Sequence, residues 1–425
     1  MPKKTHNAIR DAVGSVLGGR LIDELARELG VVKRQRKVRV TAFVAAVVLG
    51  FATGTQRTLA GMRRAYEHAT GQSLAPSGFY ARFSLELVQL FKRLVEHAIA
   101  QLQQQTPRLR QSLAHFEQLL IADGSLIKLH RSLAKHYPSV FPNKVGAAAK
   151  LHVVLNVTGR SARSVQIVRG SRHDSTILKV GSWVAGKLLL LDLAYRKGLL
   201  YKRIADYGGY FLIRKKDNED PVVADGPWCG QRLSAMAHHF AGWAIDVPVL
   251  VPWSYDRGTD KRRHLLQVRL VGQWHPLQER HHFYLTNAPP DMIETAHVGP
   301  IYAGRWEVEL FFRELKLSHR LEQLPTRKRF VAEALIYAAL LSLLVSRRLA
   351  ELLLTQQRRF APERWSRLFA AFALDVLALF LARKPSPSAD RHLARVLRKE
   401  APDPNRRRHN LLQRVQLGRF RVVLN

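Results

Sequence analysis

LLIADGS, residues 119–125, and KLLLLD, residues 187–192, each run four apolar residues straight into an aspartate. Apolar runs without alternation predict strands covered on both faces, as in an α/β sheet. KLHVVLNV (150–157) and SVQIVRG (164–170) add short apolar or alternating runs bounded by serine, asparagine or glycine, so the texture from Gln118 onward is β. A carboxylate immediately after a buried strand is costly to desolvate unless it is paired or metal-bound. In sheets of this type, ligands bind at the carboxyl ends of the strands. Asp123 and Asp192 are therefore a candidate pair for one site. Each alone also fits a turn or cap residue, and Asp123-Gly124 is itself a turn dipeptide.

Downstream, IYAGRWEVELFFRELK (301–316) gathers unlike charges at helical spacing. At about 100° per residue, Tyr302, Arg305, Glu309 and Lys316 fall within roughly 60° of one another. Val308, Phe311, Phe312 and Leu315 form a neighbouring apolar stripe, so one face can bury while the adjacent one does chemistry. The spacing predicts one helix, begun after Gly299-Pro300 and stopped before Pro325. Asp123, Asp192 and Glu309 supply the hard oxygen ligands that two Mg²⁺ or Mn²⁺ ions need for phosphoryl transfer. Arg305 can brace a phosphate with its planar fork and Lys316 can hold another as a point charge. Tyr302 can stack or donate to a phosphate, and Trp306 offers a platform for an unpaired base. The plain alternative is an ordinary Arg305–Glu309 surface pair beside half-buried aromatic packing.

Residues 1–115 read as helical, with VTAFVAAVVLGF (40–51) and SLELVQLFKRLVEHAIAQL (84–102) at three- and four-residue apolar spacing. Between them, residues 58–83 resemble a helix-turn-helix, with Ser77 as the cap of a candidate reading helix. Arg57, Arg63, Arg64 and Arg82 are either phosphate contacts or solvated charge. Residues 217–285 are rich in Pro, Gly and Trp and carry the strand-like runs VPVLVPW, HLLQVRLV and HHFYLTN, the pattern of a β insertion. The histidine pairs His238-His239 and His281-His282 lack a partnered acidic or cysteine motif and read as surface or strand residues. After residue 350 the pattern is helical and basic, interrupted by an exposed-looking KPSPSADR linker (384–391), with PNRRRHN (404–410) disordered or phosphate-facing.

The 68 Lys+Arg against 33 Asp+Glu give a net charge of +35. Such a chain repels itself unless a polyanion neutralises it, and nucleic acid is the expected one. An anionic membrane surface is the weaker rival, and solvated charge the bland one. The single Cys229 excludes an intramolecular disulfide framework and a multi-cysteine zinc site, which points to a reducing cytoplasm. MPKKTHNAIRDAVG has no apolar signal core behind its basic residues, so export is not expected. The most apolar runs, 40–49 and 334–345, fall short of the roughly 20 residues that span a bilayer and read as buried helices with no membrane role.

Tyr302, Arg305, Glu309 and Lys316 match the Y-(2)-R-(3)-E-(6)-K signature of DDE transposases of the insertion-sequence-four type, which the chain resembles over residues 118 to 345. RWEVELFFRELK and FYLTNAP are similar to that family's stretch around its glutamate and to the strand before it; DGS and LLLLDLAY resemble its two aspartate regions. The resemblance implies a ribonuclease H-like α/β core in which Asp123, Asp192 and Glu309 bind two divalent metals, interrupted by a β insertion. It divides the chain into a helical DNA-binding domain (1–115), a catalytic core in two parts (116–216 and 286–350) around the insertion (217–285), and a helical basic region (351–425). It implies a bacterial, nucleoid-associated protein that binds terminal inverted repeats and target DNA, as a homodimer bridging two ends. Ala194 stands where relatives often carry glycine, which weakens Asp192; Asp206 and Asp217 are the less apt stand-ins. His173-Asp174, in GSRHDST, resembles a segment that relatives carry between the two aspartates. A nuclease or resolvase of the same fold, and a non-catalytic DNA-binding descendant, are the rival readings.

Overall fold

The computed structural model describes residues 7–31, 38–53, 58–103, 108–141, 143–157, 161–255, 264–319, 321, 324, 326–354, 362–384 and 386–402. Arg57, Pro325 and residues 404–410 lie outside them. The chain opens with α1 (Ala8–Val16), α2 (Gly19–Glu28), α3 (Val40–Ala52), α4 (Leu59–Thr70), α5 (Pro76–Tyr80) and α6 (Leu85–Gln103). Then come β1 (Leu119–Leu129), β2 (Ala147–Asn156), β3 (Ser161–Arg169), α7 (Asp174–Ile177), β4 (Leu188–Leu191), α8 (Gly198–Asp206) and β5 (Tyr210–Arg214). β6 (Val222–Val223), α9 (Leu233–Ala237), β7 (Ile245–Trp253), β8 (His264–His275) and β9 (Arg280–Thr286) follow. The helices α10 (Val298–Tyr302), α11 (Trp306–Leu317), α12 (Arg329–Leu354), α13 (Pro362–Leu381) and α14 (Pro387–Glu400) close it.

Among the described residues the strands form one mixed nine-stranded sheet in the order β3-β2-β1-β4-β5-β9-β8-β7-β6. β1, β4 and β5 run parallel; on one side β2 lies antiparallel to β1 and β3 antiparallel to β2, and on the other β9 lies antiparallel to β5. Alternation sorts each apolar run onto two faces. Leu119, Ile121, Leu188 and Leu190 join the core shared with the helices, and Leu120, Ala122, Leu189 and Leu191 join a second core on the reverse face. Burial on both sides explains why these runs contain no polar residue. The stretch read as an insertion continues the same sheet, since β9 bonds β5 along one edge and β8 along the other.

On the helical face, α12 packs against α1, α3 and α6, and α13 against α1 and α3, so the first and last parts of the chain share one core. Asp390 of α14 binds them directly: its carboxylate, 3% exposed, accepts the N–H groups of Ile9 and Arg10 at the start of α1. The supposed 384–391 linker is therefore corrected. Ser386 accepts the Ala389 N–H as an N-cap and Pro387 begins α14, where its missing N–H has no partner to lose. α12 is the one described helix long and apolar enough to cross a membrane, although 89% of its apolar window is buried in the fold. Ser77 does not cap a reading helix either. Ala75 holds that position with Pro76 behind it, α5 has only five residues, and its Phe79 is buried against Phe43 and Phe83.

Candidate active site

Asp123 lies within β1 rather than in a turn, and it shares the parity of Leu119 and Ile121, toward α11. Gly124 faces the other way because nothing larger fits: a Cβ there would fall inside contact distance of the Asp174 carboxylate and 3.1 Å from Lys150 Cδ. The parallel register pairs Ala122 with Leu191, so Asp123, within β1, and Asp192, just past the end of β4, sit side by side. Asp192 caps a 3₁₀ turn over 193–195, its Oδ1 accepting the Leu193 N–H at 2.6 Å. Ala194 takes no left-handed conformation in that turn, so the geometry does not require a glycine. Asp206 sits at the end of α8 with Lys202 as its partner, and Asp217 is exposed beyond β5; neither lines the cavity described next.

The single helix expected over 301–316 is two. A 3₁₀ turn at Ala303–Arg305, containing the poor helix former Gly304, separates α10 from α11. The apolar stripe is as expected, with Val308, Phe311, Phe312 and Leu315 all buried. Glu309, in the first turn of α11, joins Asp123, Asp192, Arg305 and Lys316 around a cavity of about 460 Å³. Arg305 stands between two of the acids. Its Nη2 donates to Glu309 Oε1 at 2.6 Å and its Nη1 is 3.9 Å from Asp123 Oδ2. Among the described residues no three acidic, histidine or cysteine side chains converge as a ready ligand set. Tyr302 does not open onto the cavity; its hydroxyl donates to the Leu191 carbonyl at 3.2 Å and its ring packs on Tyr284. Trp306 is 53% exposed at the start of α11.

Electrostatics mark the same place. Burial raises the Asp123 carboxyl to about 6; the Gly124 N–H opposes the shift, the Asp192 charge adds to it, and Arg305 opposes it again. Burial also pushes Tyr302 up to about 12. Burial works against the Arg305 charge, yet Glu309, Tyr302 and Asp192 more than offset it, and its pKa is raised.

Behind Gly124 lies a buried polar group that the sequence reading missed, apart from noting His173-Asp174. Lys150 Nζ donates to Asp174 Oδ2 at 2.6 Å, and His152 Nε2 is 2.8 Å from the Tyr195 hydroxyl. A lysine and a histidine inside the otherwise apolar β2 run were the available signal. The surface reading of the other histidines fits, with His281 meeting the Trp243 carbonyl and His282 the Gln278 side chain.

Burial lowers both His152 and His319 from 6.5 to about 4, so both are neutral in the fold. Their stabilising contribution is full above the unfolded value and is lost as pH falls toward 4. Going from pH 7 to pH 5 removes about 2 kcal/mol for each, against about 1 kcal/mol returned by the raised Asp123. The urea midpoint is therefore expected to fall over that interval, and an equal or higher midpoint at pH 5 would contradict it.

A family profile described as "Transposase DDE domain" matches residues 114–345, more than half of the 425-residue chain. The chain belongs to the DDE transposase family. It is 22% identical over 362 residues to the transposase for insertion sequence element IS231F of Bacillus thuringiensis subsp. israelensis, covering 76% of this chain and 75% of that one. The IS231D transposase of Bacillus thuringiensis subsp. finitimus is 20% identical over 81% of this chain and 80% of its own. A solved piggyBac transposase synaptic complex with hairpin DNA aligns at a TM-score of 0.46 and 11% identity, over 96% of this chain and 88% of that one. By its family profile and relatives the protein is a bacterial insertion-sequence transposase, an enzyme of DNA cleavage and strand transfer; the DDE transposase family generally uses divalent metal ions.

Proposed function

We propose that this transposase binds the terminal inverted repeats of its element and cleaves there, with Asp123, Asp192 and Glu309 holding two Mg²⁺ or Mn²⁺ ions. The observation that carries the proposal is that three carboxylates far apart in the chain line one cavity beside Arg305 and Lys316. The donor set fits: magnesium and manganese prefer anionic oxygen, and each acid presents it from a different element. Held by Asp123, Asp192 and Glu309, such ions would supply the charge that activates a water or 3′-hydroxyl and stabilises a departing 3′ oxygen. The chain's own residues position the DNA. Arg305 and Lys316 meet backbone phosphates, Trp306 stacks on an unpaired base, and Tyr302 holds the end of β4 that carries Asp192.

The antiparallel β3-β2-β1 meander continued by parallel β4 and β5 supports a ribonuclease H-like core. We assign α1–α6 to DNA binding, with residues 116–216 and 286–350 as the two parts of the core around 217–285. A cavity of about 640 Å³ between α1–α3 and the end of α13 is lined by Arg10, Arg27, Arg39 and Arg383 against one acid, Asp23, which suits phosphate contact on that side. The working form is a homodimer bridging two element ends at the nucleoid, in the cytoplasm. The test is purified protein, Mg²⁺ and a labelled fragment carrying the element's end beside a target plasmid. Cleavage at the repeat boundary and joining of the 3′ ends to the target are expected; cleavage without joining would favour a nuclease or resolvase instead.

A further inference from the structure

Arg305 is placed to serve the acids before it serves the DNA. Its side chain is 20% exposed, enclosed by the turn it ends and by the acids themselves, with one nitrogen on Glu309 and another facing Asp123. Those are two of the three carboxylates proposed to hold metal. The acids have their other bonds elsewhere: Asp123 Oδ1 accepts the Gly124 N–H at 2.7 Å and Asp192 Oδ1 accepts the Leu193 N–H. Arg313 lines the same cavity but is tied to Glu363 at the start of α13, and Lys316 lies two turns beyond Glu309. The guanidinium of Arg305 directly contacts the acidic group and spans the space between Asp123 and Glu309.

We propose that Arg305 is an exchangeable internal counter-ion: it holds Asp123 and Glu309 apart and oriented, gives up Glu309 to an incoming divalent ion, and passes its freed fork to a DNA phosphate. This rests on the assignment of Asp123, Asp192 and Glu309 as metal ligands. The consequence is reciprocal coupling. A phosphate that takes up Arg305 makes Glu309 available, so DNA raises metal affinity and metal raises DNA affinity by the same factor. A metal site emptied of its competitor only when DNA is present would keep a phosphoryl-transfer centre weakly loaded on the free protein.

The experiment is Mn²⁺ binding to the full chain, followed by the electron paramagnetic resonance signal of free Mn²⁺, with and without short duplex DNA. Arg305→Ala is expected to bind Mn²⁺ about tenfold more tightly than the parent without DNA, a coupling of ordinary size. DNA should tighten Mn²⁺ binding to the parent and leave Arg305→Ala unchanged. Arg305→Lys, which keeps the charge, should stay near the parent, and Arg305→Gln, which keeps a donor without the charge, should fall between and serves if the alanine variant does not fold. Equal or weaker Mn²⁺ binding by both Arg305→Ala and Arg305→Gln overturns the exchange, as does an equal gain in Arg313→Ala, which would mean a general field. Glu309→Gln separates the two layers. If it loses Mn²⁺ while the Arg305 variants do not change, only the exchange is wrong; if it binds Mn²⁺ like the parent, the ligand assignment fails and the exchange with it.

Discussion

Asp123→Asn, Asp192→Asn and Glu309→Gln are each expected to bind end DNA close to the parental level and to cut it at least about 100-fold more slowly, the scale of losing one preorganised charge at a reacting centre. Each amide keeps the shape of the acid and removes the anionic oxygen that a hard cation requires. Gel shift and cleavage of the same labelled fragment separate the two effects, and one variant that cuts like the parent is enough to remove that residue from the site. Asp123→Asn carries a second expectation of opposite sign. Burial raises this carboxyl from 3.8 to about 6, so the folded state prefers the proton and the charged form costs it about 3 kcal/mol near neutral pH. That cost is absent at low pH and grows as pH rises through about 6. The neutral asparagine should therefore melt higher than the parent at pH 7.5 and lose the difference by pH 4. A catalytic loss paired with a gain in stability is what a charge kept for function, not for folding, produces.

Much of this arrangement is written in local pattern. Four apolar residues in a row before Asp123 and before Asp192 require strands buried on two faces, and the sheet obliges by placing Leu119 and Leu120 in different cores. The spacing of Val308, Phe311, Phe312 and Leu315 likewise fixes which side of α11 is buried. What local pattern does not contain is the partner across space. Tyr302 has the right spacing to meet DNA, yet its hydroxyl is taken by a carbonyl 111 residues away. The Arg305–Glu309 spacing predicts a pair, while the approach to Asp123 depends on strand register. KPSPSADR has the composition of a linker; Ser386 and Pro387 start a helix within it, and what local pattern does not contain is the docking of that helix through Asp390 onto the N-terminus of α1. The aspartate-glycine dipeptide misleads for the same reason: glycine is there for a neighbour, not for a turn.

That neighbour makes Gly124 a position sensitive to a single methyl group. Gly124→Ala adds one methyl group at a residue whose backbone is not left-handed, so strain in φ plays no part and strand propensity alone would favour the change. Contact decides otherwise. The new Cβ would run into the Asp174 carboxylate and approach Lys150 Cδ at 3.1 Å, and neither partner can retreat cheaply, because both are held in a buried pair at 2.6 Å. Either β1 shifts, carrying Asp123 with it, or the pair is broken. Overpacking of this kind costs about 1–3 kcal/mol, and the displacement of Asp123 should lower cleavage well beyond what the stability loss explains. Asp174→Ala alone is expected to be worse for folding, about 3–5 kcal/mol, since it strands the Lys150 charge in β2. Replacing Lys150 by methionine and Asp174 by alanine together removes both charges and opens the space, so the triple variant with Gly124→Ala should recover stability that neither single change retains. Urea unfolding of the set, with cleavage measured alongside, decides it: a Gly124→Ala protein as stable and active as the parent would mean that Asp174 does not fix the strand that carries Asp123.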